Sequence, residues 1–283
     1  YRSGGQVFEA DVAPGGVHAF VDAGRTQHQA GGGFGPQGYN LTSNLPITAY
    51  QFNPLDTLGA ASTDASLLLP DHVLGKHYYV VSWPRSIAES ATLIYAIEDG
   101  TSLEIMPGPN AAVGAVGGAP ALVPGQGTNT TLNASQSLQF LADGDMTGTR
   151  IVSDKPIGVF AGSPCANVPV NVRYCDHLEE QMLPQETWGS TMVVAPFFAR
   201  GQEPSIFRVI AEQDGTELSF NQAIVVADNT VDAGEFLEFE SAEAFVLTAN
   251  HPILLIQFMV GSQHPGVQNG GARNIGDPAM TTI

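Results

Sequence analysis

An all-β fold of tandem antiparallel β-sandwich-like units is what this sequence predicts, and three observations predict it. Charged residues are only 13% of the chain while Gly (32) and Pro (19) are abundant, a balance that favours many short strands joined by turns over long solvated helices. Strand-like phrases recur in the same order along the chain, the mark of a repeated unit. Three apolar runs each open on a proline, Pro46, Pro156 and Pro252, where a missing N–H costs a strand least.

The length of 283 residues exceeds the usual single-domain size of roughly 100 to 200, so more than one module with ample core is expected. Phrase by phrase, SLLLPDHVLG (66–75) matches EQMLPQETWG (180–189), placing Pro70 over Pro184 and Gly75 over Gly189. ATLIYAIEDGTSLEI (91–105) matches SIFRVIAEQDGTELSF (205–220), LNASQSLQF matches VDAGEFLEF, and KPIGVFAG (155–162) matches HPILLIQF (251–258). A partial copy precedes these, with APGGVHAF ending at Phe20 and LPITAYQF at 45–52. The expected division is therefore 1–58 as the end of one unit, 59–163 as a second and 164–283 as a third, each unit about 100 to 115 residues long. A closed, propeller-like ring of β repeats is the alternative.

Asp99-Gly100 and Asp214-Gly215 lie between alternating apolar residues, which reads as two-residue type I′ hairpins with positive φ at the turn. The runs ITAYQF, IGVFAG and ILLIQF are apolar almost throughout, as in strands covered on both faces. The one helical candidate is 175–188, where Asp176 is placed to cap, Glu179 follows three residues later, and Pro184 ends the run. Segments 24–39 and 106–130 have the Gly, Pro and Ala content of mobile surface loops.

Ten Lys plus Arg against 28 Asp plus Glu give a formal charge of −18, which repels phosphate backbones and anionic lipid. No run approaches the roughly 20 apolar residues that cross a bilayer. Nucleic acid and membrane insertion are thus not expected. Tyr1 opens into strand-like text without a secretion-signal pattern, as in a mature product or an excised piece. Cys165 and Cys175 flank the short run ANVPVNVRY, close enough to bridge as a disulfide, which places the protein in an oxidising compartment.

The densest polar constellation is Asp176, His177, Glu179 and Glu180 beside Cys175. Asp176, His177 and Glu179 are competent metal ligands by type, but contiguous residues on one turn splay apart, so no metal and no cofactor is expected. The seven histidines are scattered. No nucleophile elbow, P-loop or dinucleotide fingerprint occurs in context, so no catalytic residue is assigned and no enzyme is expected. Asn40, Asn129 and Asn133 open N-x-[ST] triplets, candidate glycosylation acceptors if the source modifies secreted proteins.

The stretch 153–189 resembles the N-terminal domain family of the IgGFc-binding proteins. The likeness rests on Lys155, Pro156, Phe160, Cys165, Pro169, Cys175, Asp176, His177, Leu178, Glu180, Gln181, Pro184, Trp188 and Gly189, and extends to AYQFNP (49–54), SLLLP and GDPAM (276–280). In that family the GDP-x-M phrase leads into a further module, which implies that this chain stops one unit short. The low-lysine, Ala- and Gly-rich composition resembles bacterial secreted members, so what the resemblance implies is extracellular or cell-surface binding rather than a particular ligand. It supplies no catalytic residues. Three functions follow as expectations: a module recognising protein or glycan, with Tyr78, Trp83 or Phe34 grouped in an exposed patch; a structural subunit joining further copies of itself through strand edges, as in a filament; and, least favoured, a secreted hydrolase.

Overall fold

The computed structural model describes residues 2–3, 6–21, 32–35, 38–53, 63–226, 228–268 and 276–283. The fold is all-β and antiparallel, as the turn-rich composition requires. The N-terminal part contributes β1 (Arg2–Ser3), β2 (Gln6–Val7), β3 (Gly33–Gly35), β4 (Tyr50–Asn53) and β5 (Asp64–Leu67). A first body follows: β6 (His77–Tyr79), β7 (Ser90–Ala96), β8 (Thr101–Met106), β9 (Thr128–Leu132), β10 (Ser137–Ala142), β11 (Arg150–Ser153), β12 (Ile157–Ala166) and β13 (Asp176–Gln181). A second body contains β14 (Gly189–Val194), β15 (Ser205–Ala211), β16 (Thr216–Phe220), β17 (Thr230–Val231), β18 (Phe236–Ser241), β19 (Phe245–Met259) and β20 (Ala279–Thr282).

The first body stacks sheet β13-β12-β7-β10-β3 on sheet β6-β11-β8-β9. Period-2 patterning makes this possible: Thr101, Leu103 and Ile105 of β8 point inward while Ser102, Glu104 and Met106 point to solvent. In the second body β18, β15, β19 and β20 pair in the order of β10, β7, β12 and β13, and β17, β16, β19 and β14 pair in the order of β9, β8, β11 and β6. The 15-residue β19 serves both layers, pairing β14 and β16 through 245–249, with one further β14 pair at Ile253, and β15 and β20 through 253–259.

The two bodies share a core. Phe207, Val209, Phe239 and Leu255 fill the interior of the second body, while Ile206, Ile210, Leu254, Ile256 and Phe258 face the first and join Trp83, Ile94 and Leu178. A sheet buried on both faces explains why ILLIQF carries no polar alternation. The N-terminal run differs: Ile47, Tyr50 and Phe52 of ITAYQF are exposed.

Three expectations are corrected. The Asp-Gly turns are not type I′ hairpins: Gly100 and Gly215 have φ of +64° and +66°, but neither Asp99 nor Asp214 is among the positive-φ residues. Moreover β7 and β8 lie in opposite sheets, and β15 and β16 both pair β19 rather than each other. Each turn is an arch that carries the chain between layers. The helix at 175–188 is instead strand β13 followed by a 3-10 turn at Gln185–Thr187, because pairing with β12 from Phe160↔Gln181 to Ala166↔Asp176 overrides a local capping pattern. Segment 106–130 is not an excursion. It ladders on itself through Val113↔Leu122 and Val116↔Ala119 and buries Ala111, Ala119 and Leu122 in the first core. Of segment 24–39, residues 24–31, 36 and 37 lie outside the described residues, and Gly33–Gly35 is an edge strand on β10.

Candidate functional site

The residues of the 175–188 constellation lie on β13, at a junction of three strands. One edge of β13 pairs β12. Toward β5 and β20 the contacts run through side chains instead of a backbone ladder. Asp64 Oδ2 on β5 accepts from Glu179 N at 2.9 Å, Ser66 Oγ accepts from Gln181 N at 2.8 Å, and Gln181 Oε1 accepts from Leu69 N at 2.7 Å. Asp176 Oδ1 accepts from Thr63 N at 2.8 Å. On the β20 side, Glu180 Oε1 accepts from Thr282 Oγ1 at 2.9 Å and Thr282 N at 3.3 Å.

His177, Glu179, Glu180 and Gln181 are all buried. His177 Nε2 lies 3.5 Å from Glu179 Oε2, and Glu179 Oε1 accepts from Gln51 Nε2 at 2.9 Å. Burial pushes the Asp64 carboxyl up to about 7 against its backbone donors and the nearby His177. It raises Glu180 to about 7 against the Thr282 and Ser66 hydrogen bonds, and Asp176 to about 6. A carboxylate removed from water resists ionisation, and these hydrogen bonds offset that only in part. Among the described residues no group of His, Cys, Asp and Glu is arranged to hold a metal ion.

The β4–β5 hairpin that rests on this junction is inverted. Gln51 and Ser66, paired across it, turn toward β13 as the hydrogen bonds above require. The alternate residues Tyr50, Phe52 and Leu67 are exposed, Tyr50 at 60% and Phe52 at 59%. Leu45 and Ile47, just before β4, are exposed as well. The result is an apolar outer face on a polar mount.

The aromatic patch expected from Tyr78, Trp83 and Phe34 does not form. Tyr78 and Trp83 are core residues, and Phe34 packs partly buried against the same core. The polar tips of the first two are satisfied inside: Tyr78 Oη donates to Ile157 O and Trp83 Nε1 to Asn167 O. Trp188 likewise donates to Leu183 O and sits beside Tyr79. Cys165 and Cys175 form a disulfide with a Cα–Cα distance of 5.2 Å. Asn40 and Asn133 are exposed in connecting segments, whereas Asn129 is exposed within strand β9.

Sequence reasoning missed two polar centres. Asp64 and Gln51 lie over a hundred residues from their partners on β13, so no local pattern marks them. Arg208, in the apolar run SIFRVIA, is buried between the bodies, donating to Ser82 O, Asp145 Oδ2 and Thr147 Oγ1 at 2.6, 2.8 and 2.9 Å. Its guanidinium also lies 4.5 Å from the Trp83 ring centroid. An arginine inside a strand of branched apolar residues was the one available signal.

The family model described as IgGFc binding protein matches residues 64–283, beginning at Asp64 of the junction. The human protein named IgGFc-binding protein is 27% identical over 208 residues, which is 71% of this chain and 4% of that protein. The chain thus spans a small fraction of the curated relative's length. No solved structure matches.

Proposed function

We propose a function from one premise: this chain belongs to the IgGFc-binding protein family. Its role is that of an extracellular, non-catalytic module that binds protein. The observation that carries this reading is the exposed apolar face of Tyr50, Phe52 and Leu67, held outward by a hairpin whose polar residues are engaged by β13. Contiguous exposed aromatic and aliphatic side chains on a hydrogen-bonded mount are what a protein partner buries.

Other features support the same reading. The disulfide suits an oxidising compartment. No helix among the described residues is long and apolar enough to cross a membrane, and the charge of −18 disfavours nucleic acid. The carboxyls with raised pKa, Asp64, Asp176 and Glu180, join strands and do not line the surface cavities of about 710 and 510 Å³ at 222–243 and beside His77, which speaks against hydrolysis. The burial of Tyr78 and Trp83 makes a stacked glycan platform the weaker form of recognition. We read the chain as three tandem units, 1–58, 59–163 and 164–283; the shared strand order of β6 to β13 and β14 to β20 supports the repetition, with β12 and β13 of the first body running past residue 163.

A second reading, a subunit that joins copies of itself, is favoured by one observation. Among the described residues β4 pairs with β5 alone, whereas β12 pairs β7 as well as β13 and β19 pairs β15 as well as β20. A third strand would complete it. Because the human relative is named for the Fc region of IgG, purified Fc is the first probe. Binding of Fc to the immobilised intact chain, weakened on the order of tenfold or more in a Tyr50→Ser/Phe52→Ser variant, is the expected result for the first reading. Binding untouched by those substitutions refutes the proposed face. No Fc binding together with concentration-dependent growth in light scattering, abolished by the same variant, selects self-assembly.

A further inference from the structure

We propose that the β5/β13/β20 junction is an acid-tightened clasp: protonation of its carboxylates holds the β4–β5 hairpin and β20 against β13, and ionisation lets both come away. The proposal goes beyond ligand recognition and does not depend on it, since it concerns how the hairpin is mounted.

The geometry has three parts. First, β5 and β20 are attached to β13 by side-chain to backbone hydrogen bonds, those of Asp64, Ser66, Asp176, Glu180 and Gln181; the paired strand of β13 is β12. An attachment without a ladder has few bonds to lose; the ladder of β20 is on β19, so for β20 it is the contact with β13 that opens. Second, ionisable groups crowd it from β5, from β13 itself and from the approach to β20. Asp64 comes from β5; Asp176, His177, Glu179 and Glu180 come from β13; Asp277, which raises Asp176 and accepts from Ser262 Oγ at 3.1 Å, precedes β20. From β4 the facing residue is Gln51, and from β12 Gly162 and Ala161 carry no charge. Third, the carboxylates outnumber the single imidazole, so their ionisation leaves like charges confined with little water.

The sign follows from the direction of the shifts. Burial raises Asp64 and Glu180 to about 7 and Asp176 to about 6, while strands that have come away return these groups to the ordinary range near 4. A raised folded pKa means the closed form binds protons more tightly than the open form. The clasp is therefore tightest at or below about pH 4, weakens as pH rises from there, and reaches its loosest state above about 7. For each carboxyl, a tenfold difference in proton affinity between the closed and open forms moves the opening equilibrium by about tenfold across that range.

Hydrogen exchange on the intact chain tests this without a partner, so its failure and that of the binding proposal are separable. The amides to follow are Thr63, Glu179, Gln181 and Thr282, at about pH 4.5 and about pH 7.5, corrected for intrinsic exchange. The expected result is a loss of protection on the order of tenfold or more at the higher pH, taking these amides below those of β7 and β15. Asp64→Asn and Glu180→Gln, singly and together, keep an acceptor oxygen and remove the charge, leaving Asp176 as the one raised carboxyl of the three, so the loss of protection between the two pH values in the double variant is well below that of the wild type. Three outcomes overturn the proposal: wild-type protection that does not change with pH, a change of undiminished size in the double variant, or junction amides that track β7 and β15 at every pH. The wild-type titration needs no substitution, so a variant that fails to fold leaves the test standing.

Discussion

Arg208 Nη1 lies 2.8 Å from Asp145 Oδ2 across the contact between the two bodies, both residues being buried. The same guanidinium reaches Glu238 Oε2 at 2.9 Å, but that carboxylate is 43% exposed. Burial decides which half matters. Removing one partner of a buried pair leaves an uncompensated charge, so Arg208→Met is expected to cost about 3 to 5 kcal/mol. Glu238→Gln, at the solvated end, should cost no more than about 1 kcal/mol. Denaturant unfolding of the two variants measures the contrast, and equal losses would refute the assignment.

Gly162 leaves no room for a side chain where β12 passes β13: a Cβ there would sit 1.7 Å from Leu178 O. Gly162 O also accepts from the buried Ser82 Oγ at 2.7 Å. Since backbone, not a flexible side-chain end, occupies the space, relief requires the strands to part. Gly162→Ala is expected to destabilise by about 2 kcal/mol or more and to disturb the junction that β13 supports. Gly189→Ala, where nothing lies within 4 Å, serves as the control; a Gly162→Ala midpoint matching that of the control would overturn the prediction.

Reduction of Cys165–Cys175 should lower stability by about 2 to 3 kcal/mol, the chain-entropy value for a loop of this size. Ala166 and Val168 beside it are in the core, so the loop is anchored apart from the bond. The expected outcome is a weakened but folded protein in Cys165→Ser/Cys175→Ser. Loss of near-ultraviolet circular dichroism in that variant would show the loop anchor to be insufficient.

The matched phrases of the sequence correspond to matched local structure. Pro70 and Pro184, aligned by SLLLP and EQMLP, both sit in extended conformation before a 3-10 turn, Asp71–Val73 and Gln185–Thr187. Phe140 and Phe239, aligned as strand ends, are both buried. These features were legible because they are set within a few residues. What connects distant residues was not. Asp99-Gly100 gives the same local signal whether the following strand pairs back or crosses to the opposite sheet. Capping at Asp176 and Glu179 is a helical pattern only until β12 supplies backbone partners. Tyr50 and Phe52 alternate as core residues do, and sequence does not reveal whether a second layer covers them. The clasp was half visible: its β13 residues stood out, while nothing in the local sequence marks Asp64.

Stability of the whole chain should pass through a maximum in mildly acidic solution. Burial alone would raise Glu186 and Glu203, but hydrogen bonds outweigh it and hold both below the usual carboxylate range, with His77 and the Lys76 backbone among the donors to one and Arg200 to the other. Their contribution is present above the ordinary carboxylate value and lost as pH falls through their own lowered one. Asp64, Asp176 and Glu180 work in the opposite sense, with folded values of about 7, 6 and 7, and subtract stability as pH climbs from about 4 to 7. The two trends cross at about pH 4 to 5. Urea midpoints measured from about pH 3 to about pH 8 should rise and then fall. Self-repulsion of the −18 charge also favours a fall at high pH, so the descending limb alone does not identify its source. Glu180→Gln separates the two: it removes one charge of many, too little to change general repulsion, yet it deletes a raised carboxyl. A visibly flatter descending limb in that variant is expected, and an unchanged limb would mean that the junction does not govern the alkaline side.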